Sequence, residues 1–293
     1  MNIDIQSNVH NTVETVWNKS NPNLMNLLCL YLPAKDPYAT TKWYCDVFEL
    51  DPSVLDRGSP DGFVNGNPYT TYSMYYLLSQ DELKLHFEAN GSVHTSIRLK
   101  VNHIDNVYRN MMQSGTEILT DGIVRSDDGD WIRFKDIDGR LLEVVHTQIN
   151  LPESEQSVSP STIPLLYGLQ RLSLPAKDPY FTYKWYCDVF GFEPSMNDTD
   201  ADLCVLDHPN FGYSLHFLRS DNQLQHQFHN REGYNHTYLL LQVKDIDQIF
   251  ASMKSLGVEI VNDAINDRGG CGQEIRFIDP DGRTIEINDY GTR

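Results

Sequence analysis

Glu143 and Glu286 hold the same place in two copies of one motif, "IRFKDIDGRLLEV" over 132–144 and "IRFIDPDGRTIEI" over 275–287. In each copy an Asp-Gly pair gives the backbone the freedom of a tight turn, and strand alternation then separates the aliphatic side chains from the glutamate. Ile285 and Ile287 flank Glu286, as Leu142 and Val144 flank Glu143. A carboxylate on the inner face of such a strand is a candidate general base or metal ligand. His94 and His236 open another matched pair of strands, and His86, His216 and His226 lie on further strand-like runs. None has the spacing of a histidine metal site, so the plain reading of His94 and His236 is a cap or rim-packing role.

The elements that must position these residues recur along the chain. Residues 31–48 return as 173–190 with three differences, and residues 93–118 line up with 235–260. The chain therefore reads as a polar arm over 1–23, a first domain over 24–148, a Ser/Pro/Glu-rich linker over 149–164 and a second domain over 165–290. "NLLCLYL" alternates as a strand, after which Asp36 as cap and Pro37 at the first helical position open a helix whose Tyr44, Val47 and Phe48 form an apolar stripe. "IDNVYRNMMQSG" reads as a second helix stopped by Gly115. This gives an α+β fold of four βαβββ units, two per domain. Each domain is expected to join its two sheets into an open curved cup with helices outside. Tyr75, Phe217 and Tyr238 lie on runs expected to line or edge the cups, a surface suited to a planar or amphipathic small molecule.

The net charge of −18 and pI near 4.8 argue against nucleic acid or an anionic membrane as partner, because phosphate binding needs clustered Lys and Arg. The five cysteines are odd in number and without CxxC spacing, which reads as reduced thiols, and with no signal-like or membrane-spanning run a cytoplasmic location is expected.

The strand-Asp-helix segment ending "WYCDVFEL" or "WYCDVFGF", the strand-"xID"-helix-Gly segment and the "DxDGRxxE" hairpin together resemble the vicinal oxygen chelate superfamily, which includes glyoxalase I, bleomycin resistance proteins and extradiol dioxygenases. The resemblance spans all but the arm and linker. It implies a site in each cup made of a residue on the first strand of each unit plus the glutamate of the final strand, commonly holding a divalent metal. Carried over, those positions are Cys29, Ser96 and Glu143 in the first domain and Arg171, Tyr238 and Glu286 in the second. Only the glutamates suit a hard metal. No cofactor is therefore expected, and a divalent metal, if bound, would use Glu143, Glu286, His94 or His236. Arg171 is expected to balance charge against Glu286 and to clamp a carboxylate or phenolate.

The leading function is metal-free binding of a small organic molecule. The alternative is a lyase, isomerase or dioxygenase using Glu143 or Glu286 as base or metal ligand, with Arg171 and Tyr238 stabilising negative charge. The duplicated helices, with their Trp residues, are a candidate homodimer face.

Overall fold

The structure is a computed structural model and describes residues 22–64, 72–127, 129–147, 164–207, 212–222, 224, 226–262 and 264–291. Nearly all of the sequence-assigned arm and linker lies outside these residues. The first unit comprises β1 (Leu24–Ala34), α1 (Pro37–Phe48), β2 (Asp61–Val64), β3 (Ser73–Leu78) and β4 (His86–Ala89). The second comprises β5 (Ser92–Thr95), β6 (Ile97–Val101), α2 (Ile104–Gln113), β7 (Glu117–Ile118), β8 (Trp131–Lys135) and β9 (Leu141–His146). In the third are β10 (Leu166–Ala176), α3 (Pro179–Phe190), β11 (Leu203–Leu206), β12 (Ser214–Arg219) and β13 (Gln227–His229). The fourth has β14 (Asn235–Thr237), β15 (Leu239–Val243), α4 (Ile246–Ser255), β16 (Asn266–Asp267), β17 (Gln273–Ile278) and β18 (Thr284–Asn288).

The matched segments fold alike because their local signals are alike. Asp36 accepts from the Ala39 amide and Asp178 from the Phe181 amide, both at 3.0 Å, and a proline follows each cap. Orphan helix N–H groups are thereby satisfied. The expected stripe of Tyr44, Val47 and Phe48 is buried.

The strands assemble into two seven-stranded sheets and two short hairpins, β4–β5 and β13–β14. In the first sheet the order is β16-β17-β18-β15-β1-β3-β2, and in the second it is β11-β12-β10-β6-β9-β8-β7. Units one and four therefore share a sheet, and so do units two and three. This corrects the expectation that each sequence repeat closes its own cup. The junctions are antiparallel: Cys29 of β1 faces Leu240 of β15, and Arg171 of β10 faces Arg98 of β6. Alternation fixes which face of a strand is buried, but it does not say which edge the strand joins.

Contacts within each repeat run through buried arginines instead. Arg140 Nε donates to Asp136 Oδ2 at 2.7 Å, its Nη2 to Asp138 at 2.9 Å and its Nη1 to the Pro33 carbonyl, while Tyr44 donates to Asp136 at 2.8 Å and Thr40 to Asp138 at 2.8 Å. Arg283 repeats this with Asp279, Asp281, the Pro175 carbonyl, Tyr186 and Thr182. The "DGR" hairpin of the even-numbered unit is thus tied to the helix of the odd-numbered unit before it. Trp43 packs on Phe134 and Trp185 on Phe277, with ring centroids 6.1 and 5.9 Å apart. These tryptophans pack against the chain's own core.

Arg283→Met would leave Asp279 buried without its partner and is expected to lower stability by about 3–5 kcal/mol in urea unfolding. Residues 1–148 and 149–293 made separately would each carry two unpaired inner sheet edges. They are expected to aggregate alone and to co-purify as a complex when co-expressed; a monomeric, cooperatively folding 1–148 would contradict the cross-repeat pairing.

Candidate functional site

The inner face of the second sheet carries one polar row across five strands, with charges on four of them. Register places Ser214 of β12 beside Arg171 of β10, then Arg98 of β6, Glu143 of β9 and Arg133 of β8. Glu143 is 3% exposed. Its Oε1 accepts from Arg133 Nε at 3.0 Å and Nη2 at 2.6 Å; Oε2 accepts from Arg171 Nη2 at 3.3 Å and lies 3.4 Å from Arg98 Nε. The Trp131 ring lies 5.8 Å from the Arg98 guanidinium and 5.7 Å from that of Arg133. His216, bonded to Ser214 at 3.0 Å, is pushed down to about 4 by burial and by Arg171. His94 is lowered by burial, with Arg171 and Arg133 adding to it, and stacks on Phe87.

The first sheet repeats the row with different chemistry. Ser73 of β3, Cys29 of β1, Leu240 of β15, Glu286 of β18 and Arg276 of β17 stand side by side. Arg276 Nε donates to Glu286 Oε2 at 2.9 Å, and the Thr237 hydroxyl is shared between that oxygen (3.2 Å) and the Leu239 carbonyl. Glu274 adjoins them, held by Arg268 at 2.7 Å. Burial raises the Glu286 carboxyl to about 7 against the pull of Arg276, and Glu274 adds to the rise. Burial likewise pushes the Cys29 thiol up to about 12, so Cys29 is a neutral wall rather than a nucleophile. Tyr31 and Tyr75 continue the face, their rings 5.3 Å apart, with Phe63 stacked on Tyr75 at 4.1 Å and His236 5.7 Å from Tyr31.

Residues 168–287 match the family described as Glyoxalase/Bleomycin resistance protein/Dioxygenase superfamily. They belong to that superfamily. Over nearly the whole chain the fold is also that of glyoxalase I from Zea mays: one variant shares 15% identity at a TM-score of 0.62, covering 91% of this chain and 94% of the other. A Bacillus subtilis protein described as a dioxygenase is similar at 12% identity and TM-score 0.63, covering 92% of this chain and 87% of its own. No curated protein matches. No helix among the described residues is long and apolar enough to cross a membrane.

Members of the glyoxalase superfamily often hold a divalent metal at the final-strand glutamate, but the donors here do not fit one. Glu143 meets three guanidiniums, and Glu286 meets Arg276 with one further carboxylate, Glu274, itself held by Arg268, which falls short of the His and carboxylate set a metal would need. Among the described residues no three His, Cys, Asp or Glu side chains are grouped to hold a metal ion. His94 stands in the second-sheet cup near Arg171, and His236 in the first-sheet cup near Arg276 and Arg268.

Several sequence assignments regroup. Arg171 pairs with Glu143 and not with Glu286, because β10 joins β6. Ser96 and Tyr238 leave both cups and meet each other at 3.2 Å, buried where the two sheets adjoin, with Ser96 Oγ also donating to the Ser173 carbonyl. Phe217 faces α3, its ring 4.9 Å from Tyr186, and so lies behind the sheet. Cys29 and Tyr75 do share a cup with Glu286. Arg98, Arg133, Trp131, Glu274 and Arg276 went unassigned. Arg133 and Arg276 were recoverable, since counting back through the Asp-Gly hairpin places each directly opposite its glutamate.

Because the Glu286 carboxyl sits near 7 in the fold against 4.5 ordinarily, the folded state binds more protons than the unfolded state between those pH values. Stability from this group therefore falls as pH rises through that window, by up to about 3 kcal/mol. His216 and His226, pushed down to about 4 and about 3, act in the opposite sense below pH 6.5. The diagnostic quantity is the difference between wild type and Glu286→Gln. In urea titrations from pH 4.5 to 7.5 the substitution is expected to remove a falling component, and an unchanged difference across that range would refute the assignment.

Proposed function

We propose that the protein binds a small organic molecule in a sheet cup without a divalent metal. One observation carries this reading: at both final-strand glutamates a guanidinium occupies the first hydrogen-bonding shell, so the position is already charge-balanced by a fixed cation. The aromatic rings beside each row supply the apolar, stackable surface that small-molecule sites require. Sharing the fold of glyoxalase I does not bring its reaction with it.

Glu286 supports a second reading, proton transfer on the bound ligand. A carboxyl poised near 7 in a buried setting has the acid strength of an efficient general base at neutral pH. A folded Glu286→Gln variant that loses all turnover while keeping ligand affinity would select this reading over binding alone.

Protein purified without chelator and then offered Zn, Ni, Mn and Fe(II) is expected to retain well below one metal per chain by plasma mass spectrometry and to show no thermal shift. One equivalent, retained by wild type and lost in Glu143→Gln or Glu286→Gln, would overturn the metal-free reading and identify the working cup.

A further inference from the structure

Four residues along β10 from Arg171, and so about 13 Å beyond that row, a cavity of about 110 Å³ opens between the β10–α3 junction, the segment joining β12 to β13, and the "DGR" hairpin of unit four. One ordered water needs far less room. Its mouth is accessible, since Lys177, Asn222 and Gly282 on the rim are exposed. The residues around it differ from their first-repeat counterparts in a way that frees polar groups. The Tyr238 amide donates to the His226 carbonyl as the Ser96 amide donates to that of Leu85, so His226 stands where the first repeat has a fully buried leucine. Asn222 stands in the place of Asp81, each amide being held by the serine two residues before it. Asp81 accepts from the His229 amide at 2.6 Å, whereas the Asn222 side chain makes no hydrogen bond among the described residues. Lys35 lies 3.9 Å from Glu82; its counterpart Lys177 has no ion pair among the described residues, and Gln223 matches Glu82 in sequence.

We propose that this cavity is a second binding site, outside both cups, for a small carboxylate received by the Lys177 ammonium, the Asn222 amide and the His226 ring, with its alkyl part against Leu224 and Pro175. His226 Nδ1 is shut off from solvent and has no partner. A neutral imidazole carries one N–H and one lone pair, and buried N–H groups are the ones least often left orphaned. The proton therefore belongs on Nε2, on the edge that the ring turns to the cavity. Burial and the Arg283 guanidinium push the imidazole down to about 3, which keeps it a neutral donor, and a cation in the cavity would meet the same guanidinium. Asp281 also lines the cavity, but its oxygens already accept from the Lys177 amide at 2.9 Å, the Thr182 hydroxyl at 2.7 Å and Arg283 Nη2 at 3.1 Å. The free donors are thus the ones that an incoming carboxylate would satisfy. The proposal stands apart from the reading of the cups and does not depend on whether either holds a metal.

The test is saturation-transfer NMR of the full-length protein with propionate and with its neutral counterpart propionamide. Propionate is expected to bind in the millimolar range, with propionamide at least about ten-fold weaker. Asn222→Asp and His226→Leu install the first repeat's residues, and each should weaken propionate about ten-fold or more. Lys35→Met, at the matching lysine of the first repeat, should change nothing. Both cavity variants are expected to fold, because position 222 is exposed and leucine at 226 replaces a partnerless buried nitrogen with the side chain already buried at position 85. In nitrogen-15 spectra of the histidine rings, His226 is expected as the Nε2–H tautomer, with its signal moved by propionate and not by propionamide. No propionate binding in the millimolar range would overturn the site. Equal affinity for propionate and propionamide would overturn the ligand class, and wild-type propionate binding in either cavity variant would overturn the location.

Discussion

Pairing β10 antiparallel to β6 sets Arg171 directly across from Arg98, and like charges so placed repel. What makes the pairing tenable is Glu143, delivered to the same row by the parallel neighbour β9 and buried among the guanidiniums. Removing that carboxylate would take away the counter-ion that Arg98, Arg133 and Arg171 share. One glutamate thereby relieves the like-charge contact at the seam between the two repeats. In the first sheet the corresponding seam pairs Cys29 with Leu240 and needs no such counter-ion, which frees Glu286 to associate with Arg276, Thr237 and Glu274.

The two kinds of tie between units run in different directions. Arg140 and Arg283 fasten each even-numbered unit to the odd-numbered one before it, while the sheets fasten unit one to four and two to three. Taken together the contacts close a ring: one to two through Arg140, two to three through β6–β10, three to four through Arg283, four to one through β15–β1. Each unit is held on two sides by interactions of different type, hydrogen-bonded ladder and buried ion pair. Such a ring is cooperative, because releasing either kind of tie exposes inner strand edges or an unpaired buried charge.

Much of this was legible in the sequence, and what was not has a definite cause. Asp36-Pro37 and Asp178-Pro179 marked the helix starts because capping is local chemistry, and the inward turn of Glu143 and Glu286 followed from period-two alternation. The partner of each β-strand edge was not legible. β1 and β10 share the same aliphatic pattern, Leu24, Leu27, Leu30 and Leu32 recurring as Leu166, Leu169, Leu172 and Leu174, so either fits β6 and β15 equally well and only three-dimensional closure decides between them. Two regroupings in the site descend from that degeneracy: Arg171 meets Glu143 instead of Glu286, and Ser96 and Tyr238 meet each other at the junction of the sheets. Phe217 failed differently, through a strand register one residue off the cup face.

Cross-repeat pairing also changes what it takes for the two cups to diverge. If each repeat closed its own cup, substitutions in one half would alter one site alone. Here the second-sheet row draws Arg98, Glu143 and Arg133 from the first repeat and Arg171 from the second, so its charge is set by both halves at once. Arg171 meets Glu143 only because β10 joins β6, whereas the equivalent first-sheet position, Cys29, faces Leu240 with Glu286 one strand further on. The charge of each cup is therefore a property of the strand pairing and not of either repeat alone.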